Sequence, residues 1–155
     1  MTDRPAPPAR LSLADVEALA RAAHAGQTDK AGRPYAEHLA AVAEGVRRRG
    51  GDDEQIAAAW LHDAVEDAAL TRAWLLDAPL SRRTRDIVLA VTKRPGEPPE
   101  AYAERVLATD GAPLVKEADL AHNADPARLA LLDEATRTRL AEKYTRMRAL
   151  LGLPE

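Results

Sequence analysis

Cysteine is absent from this chain of 155 residues. A disulfide framework and a thiolate-bound zinc or iron–sulfur site are therefore excluded, so any bound metal must be held by His, Asp and Glu side chains. The sequence also lacks an uncharged apolar run near the roughly 18 residues that span a bilayer. Its proline-rich first ten residues have no apolar segment typical of a signal peptide. We therefore expect a cytoplasmic protein with no membrane partner.

Positive charge is not in excess either. The formal net charge is −3, whereas nucleic-acid-binding proteins usually carry a strong basic excess. We therefore expect no nucleic-acid partner. A small phosphorylated ligand stays compatible with this charge, because local charges and a bound metal decide such binding.

The sequence shows no alternating pattern of a β-strand, and good helix formers such as Ala, Leu, Arg and Glu dominate it. This composition predicts an all-α fold, with about seven to nine helices in a compact bundle. We expect one domain over residues 12–155, preceded by a disordered or extended tail at residues 1–11. The third predicted helix spans Asp53 to Asp67.

That third helix carries His62-Asp63 and, one turn later, Glu66-Asp67, directly after the apolar run from Ile56 to Leu61. On a helix these four side chains fall within an arc of about 140°. Burying them is costly unless something offsets their charge. A divalent metal is the simplest such partner. The alternative is a solvated acidic face that ends an amphipathic helix.

Two further residues on mostly apolar helices, His38 and Asp119, could complete the ligand set. Either one alone is more typical of a core histidine, or of a helix cap or surface charge. Together with His62 and Asp63 they supply two neutral imidazoles and two carboxylates, which leaves open positions for water and substrate. Such mixed ligation suits Mn²⁺, with Fe²⁺, Co²⁺ or Zn²⁺ as possible substitutes.

The pattern resembles the H…HD…D signature of the HD-domain metal-dependent phosphohydrolases. His24 to Gln27 with Gly32 to His38 is similar to "H-x-G-Q…G-x-P-Y-x-x-H", and Ala58 to Asp67 is similar to "A-A-L-L-H-D-x-V-E-D". Val91 to Lys93 and Val115 to Asn123 resemble "V-T-K" and "V-K-L-A-D-R-x-H-N". These patterns are typical of the hydrolase domain of RelA/SpoT-type enzymes, and more closely of stand-alone small alarmone hydrolases like the metazoan SpoT homologue. The resemblance covers about residues 13–151.

The resemblance implies an HD-domain helical bundle that uses Mn²⁺ to remove the 3′-pyrophosphate from guanosine tetra- or pentaphosphate. It assigns the metal to His38, His62, Asp63 and Asp119. It assigns Glu66 and Asp67, which lie beyond the ligands, to accepting a proton from the attacking water or orienting that water. The implied contacts to the small-molecule nucleotide are Lys30, Asn123 and Tyr144.

Two positions depart from the family pattern. Asp29 stands where an arginine is expected, and Leu120 follows the metal aspartate where Lys or Arg is usual. Both changes remove positive charge from the expected pocket, so we expect weak affinity for guanosine tetraphosphate and a relaxed base preference. An Asp29→Arg change is expected to tighten binding. The cations that could compensate are Arg33, Lys93, Lys116 and Arg128.

Alternatives stay open for the function and for single residues. The same metal centre could act on an adenine alarmone, a nicotinamide dinucleotide 2′-phosphate or a nucleoside monophosphate, or the domain could bind a nucleotide without hydrolysing it. Asn123 could be a helix C-cap, and Tyr144 a core or rim aromatic. His24 could orient a ligand, whereas His122 is left out of the metal set. The sequence does not indicate an oligomeric state.

Overall fold

The computed structural model describes residues 10–65 and 69–154, and this part of the chain is helical. Within it the one pairing of β type is an isolated antiparallel bridge between Thr28 and Pro34. The all-α prediction is therefore confirmed. The helices are α1 (Leu13–Ala23), α2 (Tyr35–Arg48), α3 (Asp53–Leu61), α4 (Arg72–Asp77), α5 (Arg82–Val91), α6 (Pro99–Ala108), α7 (Ala112–Asn123), α8 (Pro126–Leu129) and α9 (Glu134–Leu150).

Helix α3 lies at the centre of the bundle, where it packs against α1, α2, α5 and α7. Its alanines Ala57, Ala58 and Ala59 are all buried, and their small side chains let the neighbouring helices approach closely. The helix begins at a capping box in which Asp52 and Gln55 satisfy each other's backbone N–H groups. Helices α2 and α7 also pack against each other, so α2, α3 and α7 meet in the core.

Side-chain caps set several of the helix starts. Ser12 and Asp15 form a capping box at α1, and Thr71 accepts a hydrogen bond from the Trp74 N–H at α4. Serine, threonine and aspartate are residue types that commonly cap helices in this way. The Asp125-Pro126 segment begins the short helix α8, in which Asp125 accepts a hydrogen bond from the Ala127 N–H.

The predicted extent of the third helix is wrong. Helix α3 ends at Leu61, with His62 as its C-cap, and residues 62–65 form turns. The His62 side chain contacts the Ala59 carbonyl with Nδ1 at 2.6 Å, and the Ala64 N–H bonds the Leu61 carbonyl. These bonds replace the helical pattern in which each N–H bonds the carbonyl four residues earlier.

The N-terminal tail predicted at residues 1–11 falls mostly outside the described residues, which begin at residue 10. Leu11 itself does not continue a free tail, because its N–H bonds the Pro79 carbonyl and its side chain packs against the core. The single domain over residues 12–155 stays a prediction. Among the helices described, none combines the length and the apolar character needed to cross a bilayer.

Candidate metal centre

Four side chains converge where α2, α7 and the end of α3 meet. One nitrogen or oxygen atom from each of His38, His62, Asp63 and Asp119 lies within 4.8 Å of the other three. His38 comes from the first turns of α2, Asp119 from α7, and the other two directly follow α3. Both histidines and Asp119 are buried. The structure therefore brings together the four residues predicted as metal ligands.

His62 has a fixed orientation. Its Nδ1 lies 2.6 Å from the Ala59 carbonyl oxygen, to which it donates a hydrogen bond. Its Nε2 lies 2.9 Å from Asp63 Oδ2 and 3.1 Å from Asp119 Oδ1. Because Nδ1 carries the proton in the neutral ring, the lone pair of Nε2 is directed at the cluster, as a metal ligand requires.

His38 is oriented in the same way by His122. The two Nδ1 atoms lie 2.7 Å apart, and the rings stack with centroids 5.0 Å apart. Burial, together with the nearby His38 and Arg128, lowers the pKa of His122 to about 4, so His122 is neutral at pH 7. Its Nδ1 accepts the proton of His38 Nδ1, which leaves His38 Nε2 facing Asp119 Oδ1 at 3.0 Å.

Each carboxylate has its own supporting partner. Asp63 accepts a hydrogen bond from the Tyr35 hydroxyl through Oδ2. Asp119 accepts one from Lys116 Nζ at 2.9 Å through Oδ2. Tyr35 and Lys116 thus orient the oxygens of the cluster without being ligands themselves.

The charged groups of the cluster shift one another's pKa values. Burial lowers the pKa of His62, but the negative charges of Asp63 and Asp119 outweigh it and hold that pKa well above its ordinary value. Burial raises the pKa of Asp119, but Lys116 and His62 hold it well below the usual range. Two carboxylates therefore stay ionised inside the protein, where a cation is the natural counter-charge.

This donor set fits a divalent transition metal. It offers two imidazole nitrogens and two carboxylate oxygens, with the imidazole tautomers fixed by Ala59 and His122. Mixed nitrogen and oxygen ligands suit Mn²⁺, Fe²⁺, Co²⁺ and Zn²⁺, and four protein ligands leave positions open on an octahedral ion. The arrangement can therefore hold one ion and present it to a further ligand.

A cavity of about 350 Å³ opens onto the cluster. His38, His62, Asp63 and Asp119 all form part of its wall. Its cationic lining residues are Lys30, Lys93, Lys116, Lys143 and Arg128. Leu120, Leu129, Leu132 and Leu140 supply an apolar part of the wall. Such a cavity, with many cations beside a metal-type cluster and an apolar wall, suits an organic polyanion.

The residues predicted to contact the nucleotide all line this cavity. Lys30, Asn123 and Tyr144 do so from the loop before α2, from the end of α7 and from α9. Asn123 does not act as the C-cap of α7, which is Ala124. Its side-chain amide instead donates to Asp119 Oδ1 at 3.1 Å. Whether these side chains bind substrate stays a prediction.

The predicted catalytic pair, Glu66 and Asp67, lies outside the residues that the structure describes. The described chain reaches Val65, two residues beyond Asp63. The roles of Glu66 and Asp67 therefore stay predictions.

Asp29, which stands where the family pattern has an arginine, pairs with an arginine from another part of the chain. Asp29 Oδ2 accepts a hydrogen bond from Arg128 Nη2 at 3.0 Å, so Asp29 and a guanidinium meet in the cavity wall. Of the cations offered as compensation, Arg128, Lys93 and Lys116 line the cavity. Arg33 does not; its guanidinium is exposed, 3.6 Å from Glu37.

The sequence pattern does not indicate that Tyr35 and His122 orient the proposed metal ligands. A signal for Tyr35 was present, because it precedes His38 by three residues and so shares a helix face with it. The same spacing relates Lys116 to Asp119. The contact between His122 and His38 joins residues 84 positions apart and had no such local signal. His24 is buried, with its Nδ1 2.7 Å from Gln27 Oε1 and its ring stacked on Tyr35.

The profile of the HD domain family matches residues 17–150. The chain belongs to this family. The HD domain is also similar to part of a "Probable guanosine-3′,5′-bis(diphosphate) 3′-pyrophosphohydrolase" of Synechocystis sp., with 43% identity over 70 residues, or 45% of this chain and 9% of the relative. The relative named guanosine-3′,5′-bis(diphosphate) 3′-pyrophosphohydrolase in Vibrio cholerae is 40% identical over 75 residues, or 48% of this chain and 10% of its own length. The matched segment thus spans about a tenth of these relatives.

Proposed function

We propose that this HD domain is a metal-dependent phosphohydrolase that removes the 3′-pyrophosphate from guanosine tetra- or pentaphosphate. The observation that carries the proposal is the cluster of His38, His62, Asp63 and Asp119, buried except for the partly exposed Asp63, which opens into a cavity rich in cations. The names of the relatives support the choice of a guanosine 3′-pyrophosphate as substrate.

We propose that these four residues hold one Mn²⁺ ion, with Fe²⁺, Co²⁺ or Zn²⁺ as possible substitutes. When bound, the ion supplies a Lewis acid that polarises a phosphoryl oxygen and makes a water molecule more acidic. His122 and the Ala59 carbonyl keep the Nε2 lone pairs of the two ligand histidines available. Tyr35 and Lys116 keep the two carboxylates oriented.

The remaining proposed roles are proton transfer and substrate binding. Glu66 and Asp67 follow the ligands in sequence, and we propose that they take the proton from the attacking water or orient it. The cations of the cavity wall neutralise the phosphates. Tyr144 and Asn123 are proposed to contact the nucleotide, and Lys30 to meet one of its phosphates.

A second candidate is the same reaction type on another phosphorylated nucleotide, such as an adenine alarmone or a nicotinamide dinucleotide 2′-phosphate. Leu120, Leu132 and Leu140 in the cavity wall favour it, because apolar side chains bury a base without reading its hydrogen-bonding edge. A cytoplasmic location, a single domain over residues 12–155 and the absence of a nucleic-acid partner also stay predictions.

The test is a product assay of the metal-loaded protein against a panel of nucleotides, repeated with each of the four metals. We expect pyrophosphate release from guanosine tetraphosphate, fastest with Mn²⁺. Asp63→Ala should abolish both metal retention and hydrolysis. Glu66→Gln should reduce turnover by about 10²- to 10⁴-fold while metal content stays near that of the parent, and exposed Glu104→Gln is its matched control.

Two results would contradict the proposal. Release of pyrophosphate from another nucleotide but not from guanosine tetraphosphate would favour the second candidate. Nucleotide binding without any hydrolysis, in protein shown to hold its metal, would indicate a catalytically silent domain.

A further inference from the structure

Arg128 occupies a central position in the cavity that neither the family signature nor the proposed ligand set explains. Its Nη1 donates to Asn123 Oδ1 at 2.9 Å and lies 3.1 Å from His122 Nδ1. The same Nη1 is 3.3 Å from His38 Nδ1, whereas the Nε2 of His38 faces the metal cluster. The guanidinium therefore lies one imidazole ring away from the point on which the four ligands converge.

Asp29 holds this guanidinium in place. Its Oδ1 accepts hydrogen bonds from the N–H groups of Ala31 at 2.9 Å and Arg33 at 3.0 Å, which fixes the carboxylate within its own turn. Its Oδ2 accepts from Arg128 Nη2 at 3.0 Å. Burial raises the pKa of Asp29, but the hydrogen bond from Arg128 and the two backbone bonds hold it below the ordinary value. The carboxylate is thus a rigid, charged support.

Arg128 keeps unused donors. A guanidinium has five N–H groups, and the contacts to Asp29, Asn123 and His122 involve Nη1 and Nη2 but not Nε. The Arg128 side chain is 19% exposed, and Arg128 lines the cavity.

We propose that Arg128 binds a phosphate group of the substrate next to the metal centre, and that Asp29 is the positioning residue that holds its guanidinium. The inference rests on the proposed function for the identity of the substrate. A fixed guanidinium fork matches the oxygens of a phosphate, and its pre-organisation removes part of the ordering cost of binding. The base has a different surface available in the leucine-lined part of the wall.

The probe for this site is inorganic pyrophosphate, titrated by calorimetry into protein loaded with stoichiometric Mn²⁺. Arg128→Gln should raise the Kd for pyrophosphate by about 10- to 100-fold, the effect of losing a charge-assisted hydrogen bond. The KM for guanosine tetraphosphate should rise with it, while kcat changes less than about threefold, because the contact is made equally in the ground and transition states. Arg128→Lys keeps the positive charge but not the forked guanidinium, so its Kd for pyrophosphate should lie between the values of the parent and of Arg128→Gln.

The role of Asp29 is tested by a double-mutant cycle. Asp29→Asn should weaken pyrophosphate binding less than Arg128→Gln does, and the double variant should be no weaker than Arg128→Gln alone, because Asp29 acts through Arg128. Arg33→Gln is the matched control, since it removes an exposed arginine of the same loop that lies outside the cavity wall. It should leave the Kd for pyrophosphate unchanged. If the effects of Asp29→Asn and Arg128→Gln on the Kd for pyrophosphate were additive, the positioning role of Asp29 would be overturned.

Unchanged pyrophosphate binding in Arg128→Gln would overturn the phosphate contact and leave Arg128 a structural residue, whatever its effect on thermal stability. Unchanged pyrophosphate binding with altered base preference would show that Arg128 contacts the base instead. These outcomes are distinct from failure of the proposed function. A parent protein that does not hydrolyse guanosine tetraphosphate would refute the function, while weaker pyrophosphate binding in Arg128→Gln would still support the phosphate site.

Discussion

Replacing Lys116 by methionine should have opposite effects on the metal-free and the metal-loaded protein. Lys116 is buried, and its Nζ lies 2.9 Å from Asp119 Oδ2 and 5.2 Å from the centre of the Tyr102 ring. Burial lowers the pKa of Lys116, but the charge of Asp119 outweighs it and holds the pKa above its ordinary value. The ammonium is thus a charged partner of the buried carboxylate, and methionine keeps most of the volume but not the charge.

The expected loss of stability follows from removing one partner of a buried ion pair. Such a change typically costs about 3–5 kcal/mol of unfolding free energy. For a domain of this size, that cost corresponds to a fall of roughly 6 to 20 °C in the thermal midpoint of the metal-free protein. A divalent ion held by the four proposed ligands would replace the lost positive charge beside Asp119. Lys116→Met should therefore bind Mn²⁺ at least about tenfold more tightly than the parent and gain more stability from the metal.

The assay compares thermal midpoints of parent and variant in the presence of a chelator and at saturating Mn²⁺, together with calorimetric titration of the metal. Lys143→Met is the control, since it removes an exposed lysine of the same cavity wall and should change stability by less than about 0.5 kcal/mol. Weaker metal binding in Lys116→Met, with a small loss of stability, would refute the reasoning. Lys116 would then act by placing the Asp119 carboxylate and not by balancing its charge.

Three further predictions concern the ligands and the loop before α2. Tyr35→Phe removes the hydroxyl that donates to Asp63, so the Kd for Mn²⁺ measured by titration should rise by about 10- to 100-fold; an unchanged Kd would show that this hydrogen bond does not support the ligand. Because the pKa of His62 is raised in the absence of metal, Mn²⁺ must displace a proton from it, and affinity should rise with pH up to that pKa. In chelator-treated protein the raised pKa of His62 stabilises the folded state. This stabilisation is fully present below about pH 6.5, the ordinary pKa of histidine, and it is lost as the pH rises through the pKa of His62 in the folded protein. Calorimetry in buffers of different ionisation enthalpy should therefore detect proton release near pH 6, and its absence would contradict the charge state inferred for His62. Asp29→Arg should weaken alarmone binding and lower the thermal midpoint, because it sets a second guanidinium against Arg128; tighter binding would favour the expectation drawn from sequence alone.

The convergence of the four proposed ligands could be predicted from the sequence because each of these residues carries a local signal. His38 and Asp119 are polar residues on otherwise apolar helical faces, and His62-Asp63 follows a run of buried alanines. Helical periodicity directs such faces inward, so the convergence of the four residues follows from the pattern once the helices pack. The helix starts at Ser12 and Thr71 were predictable for the same reason, since a cap acts within three residues of itself.

The contacts that could not be predicted join distant parts of the chain. Arg128 meets Asp29 across 99 positions, and no spacing rule relates the two. The sequence alone therefore indicates a loss of positive charge at Asp29, whereas the fold brings the Arg128 guanidinium to it. The extent of α3 was wrong for a different reason: the residues after Leu61 suit a helix, but the His62 side chain binds the Ala59 carbonyl and the backbone turns.

The early end of α3 adds the partial charge of a helix terminus to the charges of the four proposed ligands. The peptide dipoles of a helix sum to about half a negative charge at its C-terminus, and α3 ends at Leu61, directly before His62 and Asp63. Asp119 likewise lies in the last turns of α7, which ends at Asn123. Two helix C-termini therefore lie beside the ligand cluster, so the backbone as well as the carboxylates favours a cation there. A substitution that extended α3 through residue 65 would move this partial charge away from the cluster and weaken metal binding without touching a ligand.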